Sequence, residues 1–403
     1  MIGYMLPEQN PYSPGSGRRP PELVGRVGEL EAFNTLRARV GYGLGDRGVV
    51  LTGLRGVGKT VLLNEMHRLA DQSEWLTVRI EARRDEVGVR AVRRALAREL
   101  VVSARKLTRS TLSARMREAL GTISSFNAKV GATGLELGVA LSQGRADSGD
   151  AEVDLLELVE DVSAALGEQG RAFAVFVDEM QDLDPETMGA LIAAQHAANQ
   201  RDWPFYVIAA GLPNLPRVLT ETRSYAERLF NYRQIGKFTH DDAAQALREP
   251  AERLGAEYAP DALEVLLDAA GGYPYFLQRY GQAAWNLSPD RLVTRADAMA
   301  AVQYGTEQLD AGFFRSRWQR ATRSERRMLL AMAADGEGPS TTGLVAQRMG
   351  IQTSSLGPYR AALISKGLVY APEHGQIAFT VPGMAGYVAR HHEELDDSGP
   401  ATD

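Results

Sequence analysis

The strongest chemical pattern in the chain is Gly53-Leu54-Arg55-Gly56-Val57-Gly58-Lys59-Thr60, spaced G-x-x-x-x-G-K-T. A short apolar run of strand character, residues 48–52 (GVVLT), leads into it, and Val61 opens a stretch of helical periodicity behind it. Between a strand and a helix, this spacing makes a cradle for phosphate. The glycines let the backbone wrap so that successive N–H groups face phosphate oxygens. The helix that starts there adds unpaired N–H groups and the positive end of its dipole. Lys59 contributes a point charge, and the Thr60 hydroxyl is placed to ligate Mg²⁺. The competing reading is a glycine-rich turn of some other α/β protein.

A second constellation lies far downstream. Residues 172–177 (AFAVFV) are apolar throughout and end in Asp178 and Glu179. A strand without polar alternation is buried on both faces, as in a parallel sheet. Carboxylates at its carboxyl end stand where α/β sheets place their ligands. Asp178 can enter a Mg²⁺ shell, and Glu179 can accept a proton from an attacking water. Asp182 and Asp184 read as loop or cap residues rather than a second acid pair. The six histidines are scattered without metal-ligand spacing, and no dinucleotide fingerprint competes with the phosphate cradle. The chain has no cysteine, which excludes disulfides, thiolate metal sites and a cysteine nucleophile.

The elements that must position these groups follow from the pattern around them. Residues 1–22 hold five prolines and read as an irregular arm. A helix is expected through about Arg39, then the first strand and the loop, then a strand over residues 75–81. From Arg83 to Leu120 the pattern is helical, with eleven basic residues against four acids. Those arginines are either solvated helix faces or a nucleic-acid contact. Residues 129–141 (KVGATGLELGVAL) suggest a hairpin excursion, and a helix is expected over residues 153–166. Residues 203–211 form a further apolar strand, and residues 224–230 a helix. Residues 240–310 read as several helices punctuated by glycine and proline.

Residues 321–392 make a separate module. Helices are expected over 323–334, 341–349 and 353–366, then a hairpin of 368–370 with 376–380, the winged-helix arrangement. Between Arg315 and His392 ten basic residues stand against four acids, although the whole chain carries a net charge of -6. The residues after His392 read as an acidic, disordered tail. At 403 residues, 44% of them hydrophobic, the chain has material for two or three domains with sizeable cores. Neither a signal peptide nor a membrane-spanning apolar run is evident, so a soluble cytoplasmic protein is expected.

With these residues in view, the chain resembles the AAA+ ATPases of the origin-recognition and archaeal-initiator kind and the related STAND-type ATPases. The resemblance rests on residues 53–60 as Walker A and 173–179 as Walker B. Val24-Gly25-Arg26, Gly271-Gly272-Tyr273-Pro274 and the C-terminal winged helix support it. It implies an α/β P-loop domain (23–237, with a basic helical and hairpin insertion at about 83–150), a helical lid (238–312) and a winged-helix domain (313–392). The α/β domain would be a parallel sheet with helices on both faces. The resemblance also implies ATP or ADP with Mg²⁺ between P-loop domain and lid. Val24, Arg26 and Pro274 would lie near the base.

Arg228, with Arg223 close by, becomes a candidate arginine finger acting on a neighbouring copy in a homo-oligomer. Two positions depart from the family pattern. The strand after Walker B ends in Gly211, leaving Asn214 as the remaining candidate for the first sensor. The lid helix begins with Pro274 rather than a sensor arginine, and Arg279 follows a turn later. Hydrolysis is therefore expected to be slow, as in a nucleotide-controlled switch. The expected partner is duplex DNA, read by Ser354, Ser355, Tyr359 and Arg360. The alternative is a regulatory ATPase whose winged helix docks a protein.

Overall fold

The computed structural model describes residues 5–15, 17–20, 23–83, 86–107, 114–130 and 145–391. Two compact units emerge, one of residues 26–53 and 59–235, the other of residues 1–25, 54–58 and 236–403.

The first unit is built on five strands: β1 (Gly48–Thr52), β2 (Leu76–Glu81), β3 (Phe173–Asp178), β4 (Phe205–Gly211) and β5 (Phe230–Gln234). All pair in parallel, in the order β2-β3-β4-β1-β5. Every residue of β1, β3 and β4 is buried, as unbroken apolar strands require. Successive side chains along β3 leave by opposite faces. Phe173, Val175 and Val177 join a core formed with helices α3 (Glu86–Leu107), α4 (Ala114–Val130), α5 (Ala151–Gly167) and α6 (Pro185–Arg201). Phe176 leaves by the other face. There it meets Phe33 of α1 (Val27–Gly41) and His67 of α2 (Lys59–Gln72), with ring centroids 6.4 and 5.0 Å apart. Helices therefore cover both faces.

Several local expectations are corrected. Only Ala226–Leu229 of the stretch 224–230 is helical (α8, after α7, Leu215–Thr222), because Phe230 turns into the edge strand β5. The Val49↔Asn231 and Val50↔Tyr232 register along β1 outweighs local helical preference there. Residues 129 and 130 close α4 rather than opening a hairpin, and the rest of that expectation lies outside the described residues. So does the tail after His391. Asp184 is a cap, as the loop-or-cap reading had it: its carboxylate accepts from Thr187 N at 2.9 Å, and Pro185 follows as the first helical residue.

The second unit is mainly helical: α9 (His240–Glu252), α10 (Pro260–Ala270), α11 (Pro274–Leu287), α12 (Arg295–Gln308), α13 (Arg315–Trp318), α14 (Arg323–Ala333), α15 (Thr342–Met349), α16 (Gly357–Ser365) and α17 (Met384–His391). One hydrophobic core runs through it, from Met5 and Tyr12 to Val388. Two short strands, β6 (Glu257–Tyr258) and β7 (Leu292–Val293), pair in parallel. Three others, β8 (Ser340–Thr341), β9 (Val369–Tyr370) and β10 (Gln376–Phe379), form an antiparallel sheet with β10 in the middle.

The stretch 353–366 is not one helix. A 3₁₀ turn, Thr353–Leu356, precedes α16, and Pro358 sits in the first helical turn, where a proline starts a helix rather than continues one. The N-terminal arm is irregular apart from a 3₁₀ turn at Pro7–Gln9, and it is tied down. Tyr12 is 2% exposed, and its hydroxyl bonds to Leu247 O and Tyr258 Oη, while Trp285 Nε1 donates to Leu6 O at 2.9 Å.

Candidate nucleotide site

The loop 53–60 leaves β1 at Thr52, and α2 starts at Lys59, the expected strand–loop–helix sequence. Gly53 N donates to Gly211 O at 3.1 Å, which ties the end of β1 to the end of β4. Lys59 is only 6% exposed, an unusual state for an ammonium. The Thr60 hydroxyl hydrogen-bonds to Asp178, and the Lys59 charge also acts on that carboxylate. Burial nonetheless pushes the Asp178 carboxyl above its ordinary range, with the neighbouring Glu179 charge adding to the rise. The fold thus joins the two sequence constellations at Thr60 and Asp178. Val61 follows, half-buried, in the first turn of α2.

Glu179 sits just past β3 with φ of 51°, a left-handed backbone that costs a non-glycine residue on the order of 1 kcal/mol. Its N–H donates to Asp178 Oδ1 at 3.0 Å. Its carboxylate is held by a residue that the sequence reading did not single out. Gln181 Nε2 donates to Glu179 Oε2 at 2.6 Å, and Gln181 Oε1 accepts from Leu212 N at 3.0 Å. One amide thus spans from the acid after β3 to the backbone after β4. Gly211 makes room for it, since a Cβ there would lie 2.4 Å from Gln181 Oε1 and 2.7 Å from Leu215 Cδ2. The only signal for Gln181 in the sequence was its position two residues past Glu179. Asn214, the remaining sensor candidate, presents a buried Oδ1 with no hydrogen-bond partner among the described residues.

Residues Leu54, Arg55, Gly56, Val57 and Gly58 belong to the second unit. Gly56 and Gly58 have φ of +86° and +94°, values that need glycine. Val57 is buried. Arg55 N donates to Thr380 O at 2.9 Å, and Tyr275 N donates to Gly56 O at 3.3 Å. Pro274, just before Tyr275, is the first residue of α11. Val24, in this unit, and Arg26, in the sheet unit, are 7% and 8% exposed.

The remaining candidates divide clearly. Arg223 is engaged, its Nη2 lying 2.5 Å from Glu152 Oε2. Arg228 is exposed at the end of α8 and has no acidic partner among the described residues. Ser354 and Ser355 are exposed on the 3₁₀ turn, whereas Tyr359 packs partly against the core and Arg360 keeps its Nε buried.

These groups fit a nucleotide polyphosphate with its cation. Among the described residues no three His, Asp or Glu side chains stand together as a metal site. A Mg²⁺ held by Thr60 and Asp178 would therefore complete its shell from phosphate and water. No helix among the described residues is long and apolar enough to cross a membrane.

Comparison with known proteins bears on the same region. Residues 22–208 match the family model of the AAA ATPase domain. Residues 311–388 match a second family, described as a domain of unknown function (DUF8462). Comparison with curated proteins gave no match. Among solved structures the chain is similar to the Walker-type ATPase PABY2304 of Pyrococcus abyssi, at 16% identity and a TM-score of 0.57, over 92% of this chain and 97% of that one. It is also similar to the Thermotoga maritima RuvB Holliday junction branch migration motor (14% identity, TM-score 0.43, 95% and 99% coverage). A third is the Aeropyrum pernix Orc1 protein in complex with DNA (16% identity, TM-score 0.44, 94% of each chain). The last two scores are too low to carry a structural argument. Residues 22–208 are thus similar to the AAA ATPase domain, and the parallel sheet with its 53–60 loop has the fold of a P-loop ATPase.

Proposed function

We propose that this ATPase is a nucleotide-controlled switch in which residues 53–60 hold the phosphates of ATP, Glu179 is the general base and the C-terminal module meets a partner. The observation that carries the reading is the Thr60–Asp178 hydrogen bond beside a buried Lys59. It brings the loop hydroxyl and the strand-end carboxylate to one point, where a cation on the phosphates would be held. Magnesium bound there would neutralise charge on the phosphate oxygens.

The roles of the chain's own groups follow. Lys59 holds phosphate charge in a water-poor place, where its attraction is strongest. Glu179, oriented by Gln181 from one side, takes the proton of the attacking water. Arg228, exposed and without an acid, is available to a neighbouring copy as an arginine finger. Val24, Arg26 and Pro274 are proposed to line the base. No polar side chain ends β4, so slow turnover is expected.

For the partner we infer duplex DNA, bound through residues 313–392 as a winged helix, with Ser354 and Ser355 nearest the bases. The antiparallel strands β8, β9 and β10 beside α14, α15 and α16 support it, as does the basic excess of the segment. One specific observation favours docking of a protein instead. Three of the ten basic groups are held in ion pairs within the unit rather than left to phosphates: Arg348 with Asp335 at 2.6 Å, Lys366 with Glu325 at 2.6 Å and Arg390 with Asp310 at 2.7 Å.

Fluorescence anisotropy with duplex DNA, in ATP and in ADP at two salt concentrations, separates these readings. Binding that weakens steeply with salt and depends on the nucleotide supports DNA. No binding in either nucleotide state rejects it in favour of a protein partner.

A further inference from the structure

Within the basic stretch from Arg83 to Leu120, Arg93 of α3 turns inward to the start of α6, the helix that follows the acids. Nη2 lies 3.1 Å from Asp184 Oδ1 and 2.8 Å from Glu186 Oε2, and Nε donates to Thr187 Oγ1 at 3.0 Å. One guanidinium thus grips both the N-cap and the first turn of α6. Asp184 Oδ2 is buried and has no hydrogen-bond partner among the described residues, where Arg93 is the only cation paired with this carboxylate. Burial works against the charged form, but hydrogen bonds from Thr187 and Arg93 keep the Asp184 carboxyl below its ordinary range.

Arg93 acts from a fixed base within the sheet unit. Leu96, Ala97, Leu100, Val101 and Ala104 of α3 are buried in its core, and Ser103 Oγ donates to Thr77 O of β2 at 2.5 Å. The cap that Arg93 grips ends the segment that carries the acid. Glu179 is left-handed, and such strain persists only where the surroundings fix it. On the strand side, Asp178 Oδ1 accepts from Glu179 N. Across the turn, Asp182 N donates to Glu179 O at 2.8 Å and Leu183 N to Met180 O at 3.1 Å, while Met180 and Leu183 are buried. The position of Asp184 is therefore passed along a bonded turn to Gln181, whose amide holds the Glu179 carboxylate.

Without the guanidinium, Asp184 would keep a charge with no counter-charge and one buried oxygen, which is costly. The relief open to it is movement toward water, and that movement would carry the turn Met180–Asp182 with it.

We propose that Arg93 is a positioning residue for hydrolysis, fixing through Asp184 the turn from which Gln181 aims Glu179 at the attacking water. The inference rests on the reading of Glu179 as the general base. It makes turnover depend on α3, a helix of the basic stretch, and leaves phosphate binding at Lys59 and Thr60 untouched.

The test is steady-state phosphate release by the full chain over a range of ATP concentrations with Mg²⁺, with an ADP titration and a melting curve for each variant. Arg93→Gln should lower kcat about tenfold, with the KM for ATP and the ADP affinity within about twofold of wild type, because a small misplacement of a catalytic group slows the chemistry alone. Arg93→Lys keeps the charge but not the fork that reaches Asp184 and Thr187 together, so it should fall between. Asp184→Asn keeps the acceptor of the cap and removes the charge that Arg93 meets. It should match Arg93→Gln. Combining Arg93→Gln with Gln181→Ala should lower kcat little beyond Gln181→Ala alone. Arg145→Gln, which breaks a clamp on Glu160 and Asp161 in the same unit, is the control for general destabilisation and should keep the wild-type kcat.

With turnover lost in Glu179→Gln, a wild-type kcat in Arg93→Gln, or in Asp184→Asn if Arg93→Gln does not fold, would overturn this inference alone. So would an equal loss in Arg145→Gln, or a double variant whose loss is the product of the two single losses. No turnover by the wild type, or full turnover by Glu179→Gln, would overturn the reading of the base, and the inference with it.

Discussion

Replacing Gln181 with alanine is the perturbation that most specifically probes how the hydrolytic site is assembled. Two bonds disappear, the 2.6 Å donation to Glu179 Oε2 and the 3.0 Å acceptance from Leu212 N. A hydrogen bond to a charged acceptor contributes about 1.5–3 kcal/mol. If that free energy serves to orient the base, its loss lowers kcat by about 10–100-fold. Leu212 is 2% exposed, so its orphaned N–H costs a further 1–3 kcal/mol or so of stability, or about 2–10 °C in Tm. The groups proposed to bind phosphate, Lys59 and Thr60, are untouched, so ADP affinity should stay within about twofold. Steady-state phosphate release at saturating ATP, with ADP titration and a melting curve on the same preparation, reads all three quantities. A folded variant with wild-type kcat would refute the claim that Gln181 positions Glu179.

Gly211→Ala should act through the same amide, because its new methyl would collide with Gln181 Oε1 and Leu215 Cδ2. We expect kcat to fall about tenfold at nearly constant ADP affinity, and a double variant with Gln181→Ala should add little. Asp178→Asn should raise the Tm of the nucleotide-free protein at neutral pH while abolishing Mg²⁺-dependent turnover. Burial raises the Asp178 carboxyl, so its stabilising contribution is complete below the unfolded-state value and fades as pH rises through the folded value. The gain in melting temperature should accordingly shrink on acidification, and a constant gain at all pH values would contradict this cause.

The strand–loop–helix around residues 53–60 and the acids at the end of β3 were legible because both are local patterns at short spacing. The buried strands were legible because unbroken apolar runs such as residues 172–177 have few other uses. Gln181 was not, since its importance lies in reaching Leu212 across the strand ends, and a contact over that separation leaves no periodic mark. Gly211 looked like a missing sensor, and its reason appears only when the space taken by Gln181 is seen. The edge strand β5 was hidden because Phe230 and its followers lack alternation, and pairing with β1 decides their state. The charge count over residues 315–392 misled in another way. It gave a net excess without showing which basic groups are held in ion pairs, as Arg348, Lys366 and Arg390 are by Asp335, Glu325 and Asp310.

The most direct test of the account compares Mg²⁺-dependent ATP hydrolysis and nucleotide binding for the wild type, Lys59→Ala and Glu179→Gln. The account predicts measurable turnover by the wild type and loss of both binding and turnover with Lys59→Ala. Glu179→Gln should keep ATP bound while turnover falls by about 100-fold or more, since the amide can hydrogen-bond but cannot take a proton. Wild-type turnover by Glu179→Gln would contradict its role as the base, and wild-type nucleotide affinity in Lys59→Ala would contradict the phosphate site itself.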